Sequence, residues 1–181
     1  VALTEGQYTD MSFETRDAVD VDEYIAMITG KTAVLIALAA ELGSLVARAD
    51  DHRIRAFADY GLNMGLAFQV QDDILGIWGD EVLTGKSAAT DIITRKKTLP
   101  VLYSLSKSQQ LRELYDGEES GQEFVRRAVA ILDETGARRF ADDAAERYTN
   151  MAIAGLSAAQ PVEPGADALR SLTATLLRRD F

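Results

Sequence analysis

The 181 residues contain no cysteine, one histidine, three prolines and only 7% aromatic side chains. Without cysteine there are no disulfides, thiolate metal sites or cysteine nucleophiles, and His52 alone excludes a histidine-rich metal centre. Positive charge is also short: 19 Lys and Arg stand against 29 Asp and Glu, a formal charge of −10. That balance excludes nucleic acid as the main partner, because neutralising phosphates takes clustered Lys and Arg. It leaves open a small anionic ligand held by local lysines or bound cations. No stretch approaches the roughly 20 consecutive apolar residues of a membrane span. The first residues lack the basic region and apolar run of a signal peptide. The expectation is a cytoplasmic chain that does not span a membrane. With 47% hydrophobic residues, one domain with its own core is the natural size class.

What is present reads as helices parted by short polar breaks. Asp20 and Glu23 have capping-box spacing and open a helix that runs to about Arg48. Asp50 and Asp51 open another, through Phe57, Tyr60, Met64 and Phe68 to Trp78, with Gly79 as its stop. From Asp80 to Lys97 no period is sustained, and the stretch reads as a loop. Pro100 suits the first turn of a helix through Leu102 and Leu105. Ser120 and Glu123 form a second capping-box pair, and Gly136 suits a helix C-terminus. Helices over about 137–158 and 166–178 complete the chain. Alternating strand patterns are absent, so the fold class is all-α, a bundle of six or seven helices. Residues 33–40 and 61–78 are apolar nearly all round, which places both helices at the centre of a bundle.

The second of these carries an acidic stripe. At about 100° per residue, Gln69, Asp72, Asp73, Gly76 and Asp80 share one narrow face, while Val70, Ile74, Leu75, Ile77 and Trp78 fill the rest. Adjacent carboxylates facing a bundle interior repel each other and lose hydration unless positive charge answers them. Pairing with Arg or Lys from another helix is one answer. Mg²⁺ is the other, held by one or two carboxylates while keeping places for substrate phosphates. The apolar surroundings and the basic loop that follows favour Mg²⁺, and Gly65 and Gly76 on the same face leave room for a ligand. Asp50-Asp51 and Asp142-Asp143, set among exposed charges, read instead as a helix start and a solvated face. Downstream, Thr84-Gly85-Lys86 and Asp91-Ile-Ile-Thr-Arg-Lys-Lys97 supply the cationic groups that a Mg²⁺-diphosphate complex requires. Lys31, inside the other apolar helix, either snorkels to the surface or points into a polar cavity.

These segments together resemble a known family. Phe68-Gln-Val-Gln-Asp72-Asp73, Thr84-Gly85-Lys86, Asp91 and Lys96-Lys97-Thr98-Leu99-Pro100 are similar to the second aspartate-rich region of trans-isoprenyl diphosphate synthases. Gly6-Gln7 with Asp10 resembles the family's Gly-Gln-x-x-Asp stretch, and Tyr24 with Lys31-Thr32 resembles its Tyr-then-Lys-Thr helix. The resemblance implies an isoprenoid-synthase helical bundle and a head-to-tail prenyltransferase. Such enzymes condense an allylic diphosphate with isopentenyl diphosphate after Mg²⁺-assisted ionisation. It implies Asp72 and Asp73 as Mg²⁺ ligands, and Lys31, Lys86 and Lys96 as diphosphate contacts. Thr32 and Gln69 would lie near the leaving group, and Phe68 near isopentenyl diphosphate. A homodimer is implied too.

Two departures qualify the match. Gly76 stands where the family's motif commonly ends in Asp, and Asp80, one turn further on, is a poor substitute. The family's first aspartate-rich motif has no counterpart before Gly6. The expectation is that residues 1–181 are the C-terminal part of a single synthase domain, its front portion cut away, unseen or supplied by another chain, and unable to turn over substrate alone. The alternatives are a terpene cyclase of the same fold, which would recruit no second substrate, and a non-catalytic subunit that retains the fold.

Overall fold

In a computed structural model, which describes residues 1–16, 18–79 and 89–177, the chain is all-α, and no strand occurs among the described residues. Helix α1 (Ala2–Phe13) leads to α2 (Val21–Ile28), a five-residue π turn (Thr29–Ala33) and α3 (Val34–Val46), which form one interrupted rod. The 28-residue α4 (Asp51–Trp78) follows. After the undescribed segment come α5 (Thr90–Ile93), α6 (Leu99–Lys107), α7 (Gln109–Asp116), α8 (Gly121–Glu134), α9 (Ala137–Ala159) and α10 (Gly165–Leu177).

The helix starts follow local chemistry. The Asp20 carboxylate accepts from the Glu23 amide at 2.7 Å, and Glu23 answers from the Asp20 amide at 3.1 Å, completing the expected capping box. Asp50 Oδ1 caps α4 through the Arg53 amide at 3.0 Å. Ser120 does not cap α8, although it occupies the N-cap position. The Glu123 carboxylate that should reach back to it is held by Arg126 instead. Helix α1, ahead of the first helix expected at Asp20, and two short helices depart from the expected pattern. Thr90–Ile93 forms a single turn inside the stretch read as loop, and Ser108, accepting from the Leu111 amide at 3.1 Å, starts the separate helix α7.

Helix α4 is the axis of the bundle, with α3 along one side and α9 along another. Its inward side chains, including Tyr60, Met64, Ala67 and Val70, join Tyr24, Ile28, Leu99, Leu102 and Ala152 in the main core. Each large side chain fully buried there contributes about 1.5–3 kcal/mol. A second core lies at the far end of α4, where Ile77 meets Ile92, Val101, Leu111, Phe124 and Leu132. The expectation of a central α4 holds.

That of a central α3 does not. Leu35, Leu38, Leu42 and Leu45 are 45–55% exposed, a stripe at helical spacing over which no described residue packs. By length and composition the rod over 21–46 is long and apolar enough to cross a membrane, contrary to the expectation that no stretch approaches that size. It nevertheless packs along α1 and α4, and Lys31 in its middle is ion-paired.

Candidate active site

The π turn sets the first wall of the site. One extra residue per turn widens the helix between α2 and α3 and places Lys31 and Thr32 within that turn. Helix α1 is pressed against it: a Cβ on Gly6 would lie 2.4 Å from the Lys31 backbone nitrogen, so only glycine fits there. This contact brings Asp10 to Lys31, whose Nζ donates to Asp10 Oδ2 at 2.5 Å in a half-buried pair. Lys31 therefore neither snorkels freely nor stands unpaired.

Opposite lies the acidic face of α4. Thr32 Oγ1 donates to Gln69 Oε1 at 2.9 Å, and Gln69 Nε2 donates to Asp73 Oδ1 at 3.3 Å. The Tyr24 hydroxyl and the Leu99 amide, the latter at 3.2 Å, both donate to Asp73 Oδ2. Asp73 is wholly inaccessible. Burial pushes its carboxyl up to about 6, opposed by the Tyr24 hydrogen bond, the Lys96 charge, the Leu99 amide and Gln69, all of which favour the anion. Burial chiefly, and then the charge and hydrogen bond of Asp73, push the Tyr24 phenol well up.

The expected pair of ligands is thus split, because successive side chains on a helix point about 100° apart. Asp73 points into the core against Tyr24 and Leu99. Asp72 is half-buried, at a margin a solute can reach. Phe68, also half-buried, rests on the main core.

The small residues on this face do not hold a cavity open. Gly65 is closed by Ala33, whose Cα would be 2.6 Å from an added Cβ. Gly76 is closed by the carboxylate of Asp91, with Oδ2 at 2.3 Å from the same construction. A carboxylate delivered by α5 thus occupies the place next to Gly76 where the family's third aspartate would begin. Ala89, in the left-handed region at φ 54°, starts α5.

The basic cluster after α5 divides its labour. Arg95 donates to the carbonyls of Tyr115, Gly117 and Glu119 and lies over the Phe124 ring at 4.7 Å. Lys97 donates to the carbonyls of Phe13 and Arg16, tying the end of α1 to the start of α6. Both therefore serve packing and not a ligand. Lys96 Nζ lies 3.9 Å from Asp91 Oδ1, with 40% of its side chain exposed. Lys86, with Thr84, Gly85 and Asp80, falls outside the described residues. Sequence reasoning missed the parts taken by Asp10, Tyr24 and Asp91. Each was visible in a motif, but its partner is fixed only by the packing of α1, the π turn and α5.

Among the described residues no three acidic or histidine side chains come together as a closed metal cage.

An all-helical bundle with this acidic and basic face defines a class that the comparisons identify. Residues 1–132 match the family model for polyprenyl synthetase, and the chain belongs to that family. It is 40% identical over 159 residues to a geranylgeranyl diphosphate synthase of Saccharolobus solfataricus, covering 85% of this chain and 48% of that protein. The crystal structure of a polyprenyl synthetase from Streptomyces coelicolor superposes with a TM-score of 0.88 at 33% identity, over 97% of this chain and 55% of that one. A geranylgeranyl pyrophosphate synthase from Corynebacterium glutamicum, solved with isoprenyl diphosphate and magnesium, superposes with a TM-score of 0.88 at 26% identity. This comparison covers 99% of this chain and 52% of that one. The chain thus spans about half the length of the relatives it matches.

Proposed function

We propose that this chain carries the diphosphate-binding half of a head-to-tail prenyltransferase, one that joins an allylic diphosphate to isopentenyl diphosphate and yields a longer polyprenyl diphosphate. The supporting observations are the Thr32–Gln69–Asp73 hydrogen bonds that join the π turn to the acidic face of α4, the Lys96 charge that acts on Asp73, and the half-buried Asp72 beside it. The relatives' names as geranylgeranyl and farnesyl diphosphate synthases favour chain elongation over cyclisation.

In this reading Asp72 holds Mg²⁺, with Asp91 nearby as a second source of negative charge. When bound, Mg²⁺ supplies the positive charge that a departing diphosphate needs. Lys31 and Lys96 take up the remaining charge of the phosphate oxygens, and Lys86 is assigned the same part. Asp10 keeps Lys31 extended toward the site until an anion competes for its ammonium. Thr32 and Gln69 line the region of bond breaking, and Phe68 flanks isopentenyl diphosphate. The residues act by fixed charge and by excluding water, so no nucleophilic side chain is required. The reading also includes a homodimer, a cytoplasmic setting and a further portion, in the same or another chain, bearing the first aspartate-rich motif.

Calorimetry with inorganic pyrophosphate tests the reading. The chain binds pyrophosphate when Mg²⁺ is present and loses that binding with EDTA or in Asp72→Asn. Equal affinity with and without Mg²⁺, or no binding at all, overturns it.

A further inference from the structure

We infer that Asp73 is a positioning residue, which fixes the orientation of Gln69 and through it of Thr32, and does not itself reach the cation that the functional reading gives to Asp72. The inference rests on the functional reading above for what Gln69 and Thr32 do, but the geometry that carries it is independent of any ligand.

The Asp73 carboxylate has no accessible surface. An ionised carboxylate offers about four acceptor positions, and among the described residues donors from three elements occupy three of them here. They are the Tyr24 hydroxyl from α2, the Gln69 amide from α4 and the Leu99 backbone N–H at the start of α6. A Mg²⁺ ion keeps waters and phosphate oxygens around it and demands near-octahedral geometry. No route to such a shell exists at a side chain enclosed by Tyr24, Leu99 and the body of α4.

The polarity of the chain of hydrogen bonds follows from Asp73. A carboxylate can only accept, so the group that Gln69 turns toward it must be the NH₂ end. The Gln69 carbonyl is thereby turned the other way, where it accepts the Thr32 hydroxyl proton at 2.9 Å. Thr32 has then committed its only proton and presents lone pairs to the site. Asparagine at position 73 removes this direction: its own NH₂ can donate to the Gln69 carbonyl, the amide is free to turn, and Thr32 loses its acceptor. Asp73 thus acts through Gln69 and Thr32 without touching the reacting atoms.

The test uses the 181-residue chain. The Gln69 side-chain amide, assigned by its disappearance in Gln69→Glu, is followed in ¹⁵N–¹H correlation spectra. Asp73→Asn is expected to shift this resonance pair away from its parent positions, while Asp72→Asn leaves it in place. An amide unmoved in a folded Asp73→Asn variant overturns the inference. If that variant does not fold, Thr32→Val decides instead. A Gln69 held by Asp73 keeps its resonance, and one that moves as far as free amide overturns the inference.

The second arm titrates Mg²⁺ against inorganic pyrophosphate. Asp72→Asn abolishes Mg²⁺-dependent binding, whereas folded Asp73→Asn shifts the Mg²⁺ midpoint by less than about threefold. Equal loss in the two variants overturns the division of roles. Absence of binding in the unsubstituted chain overturns the functional reading instead, and the amide spectra still decide the role of Asp73.

Discussion

The carboxylate of Asp91 lies directly against Gly76, so that a Cβ at position 76 would stand 2.3 Å from Asp91 Oδ2 and 2.7 Å from its Cγ. Alanine in place of a helical glycine ordinarily stabilises by about 1 kcal/mol. Displacing a packed side chain costs about 1–3 kcal/mol, so the clash outweighs the gain. Gly76→Ala is expected to destabilise the chain, yet to stabilise it once Asp91→Ala has removed the obstacle. Urea unfolding of the four-member cycle checks this, and strictly additive effects would refute the contact. Gly76→Asp restores the family's usual spelling and is expected to be worse still, because it sets one carboxylate against another.

Asp73 gives the metal-free chain a pH dependence whose sign follows from burial. Its folded-state pKa, pushed up to about 6, exceeds the roughly 3.9 of an unfolded aspartate. The folded state therefore holds the proton more tightly. The contribution is fully present below about pH 4 and is lost as pH rises to 6, by about 3 kcal/mol in all. With EDTA present, the unfolding free energy of Asp73→Asn should lack the fall that the parent chain shows across this window. Tyr24→Phe removes a donor to the charged form, so it extends the fall to higher pH and costs about 1.5–3 kcal/mol above it. Identical pH profiles for parent and Asp73→Asn would show that the buried acid does not titrate as described.

Much of this architecture is legible in the residues. Asp20 and Glu23, Asp50, Pro100 and Gly136 mark helix ends through local hydrogen bonding and allowed backbone angles, which any short window contains. The acidic stripe on α4 is legible for the same reason, since 3.6-residue periodicity is local. What was not legible depends on contacts far apart in the chain. Nothing near position 73 announces that Tyr24 and Leu99 enclose it while Asp72 stays half-buried. Nothing near Arg95 announces three carbonyls beyond residue 114. The apolar run in α3 shows that this face is greasy without showing what it meets.

That face yields a direct comparison. Leu42 is 48% exposed and Leu66 is 6% exposed. Leu42→Gln is expected to change the stability of the chain by less than about 0.5 kcal/mol, as for an ordinary surface position. Leu66→Ala should cost about 2–5 kcal/mol through lost transfer energy and the cavity left behind. Denaturant titrations of the two variants check the contrast. A large loss in Leu42→Gln would mean that α3 is packed in solution against something this arrangement does not contain.

Arg95 and Lys96 are neighbours in sequence with opposite tasks, and their variants should separate stability from binding. Arg95→Ala removes a guanidinium that satisfies carbonyls on both sides of the turn after α7 and stacks on Phe124. The expected cost is about 3 kcal/mol. Arg95→Lys should recover little, because an ammonium cannot reproduce the planar fork. Lys96 stands 3.9 Å from Asp91 with a partly exposed side chain, so Lys96→Ala should alter stability by less than about 1 kcal/mol. It should nonetheless weaken Mg²⁺-dependent pyrophosphate binding about tenfold, the effect of losing about 1.4 kcal/mol of interaction with the anion. Calorimetry at equal folded concentration, with urea titration in parallel, reads both quantities. If Arg95→Ala lost binding at unchanged stability while Lys96→Ala lost stability at unchanged binding, the two roles would have to be exchanged.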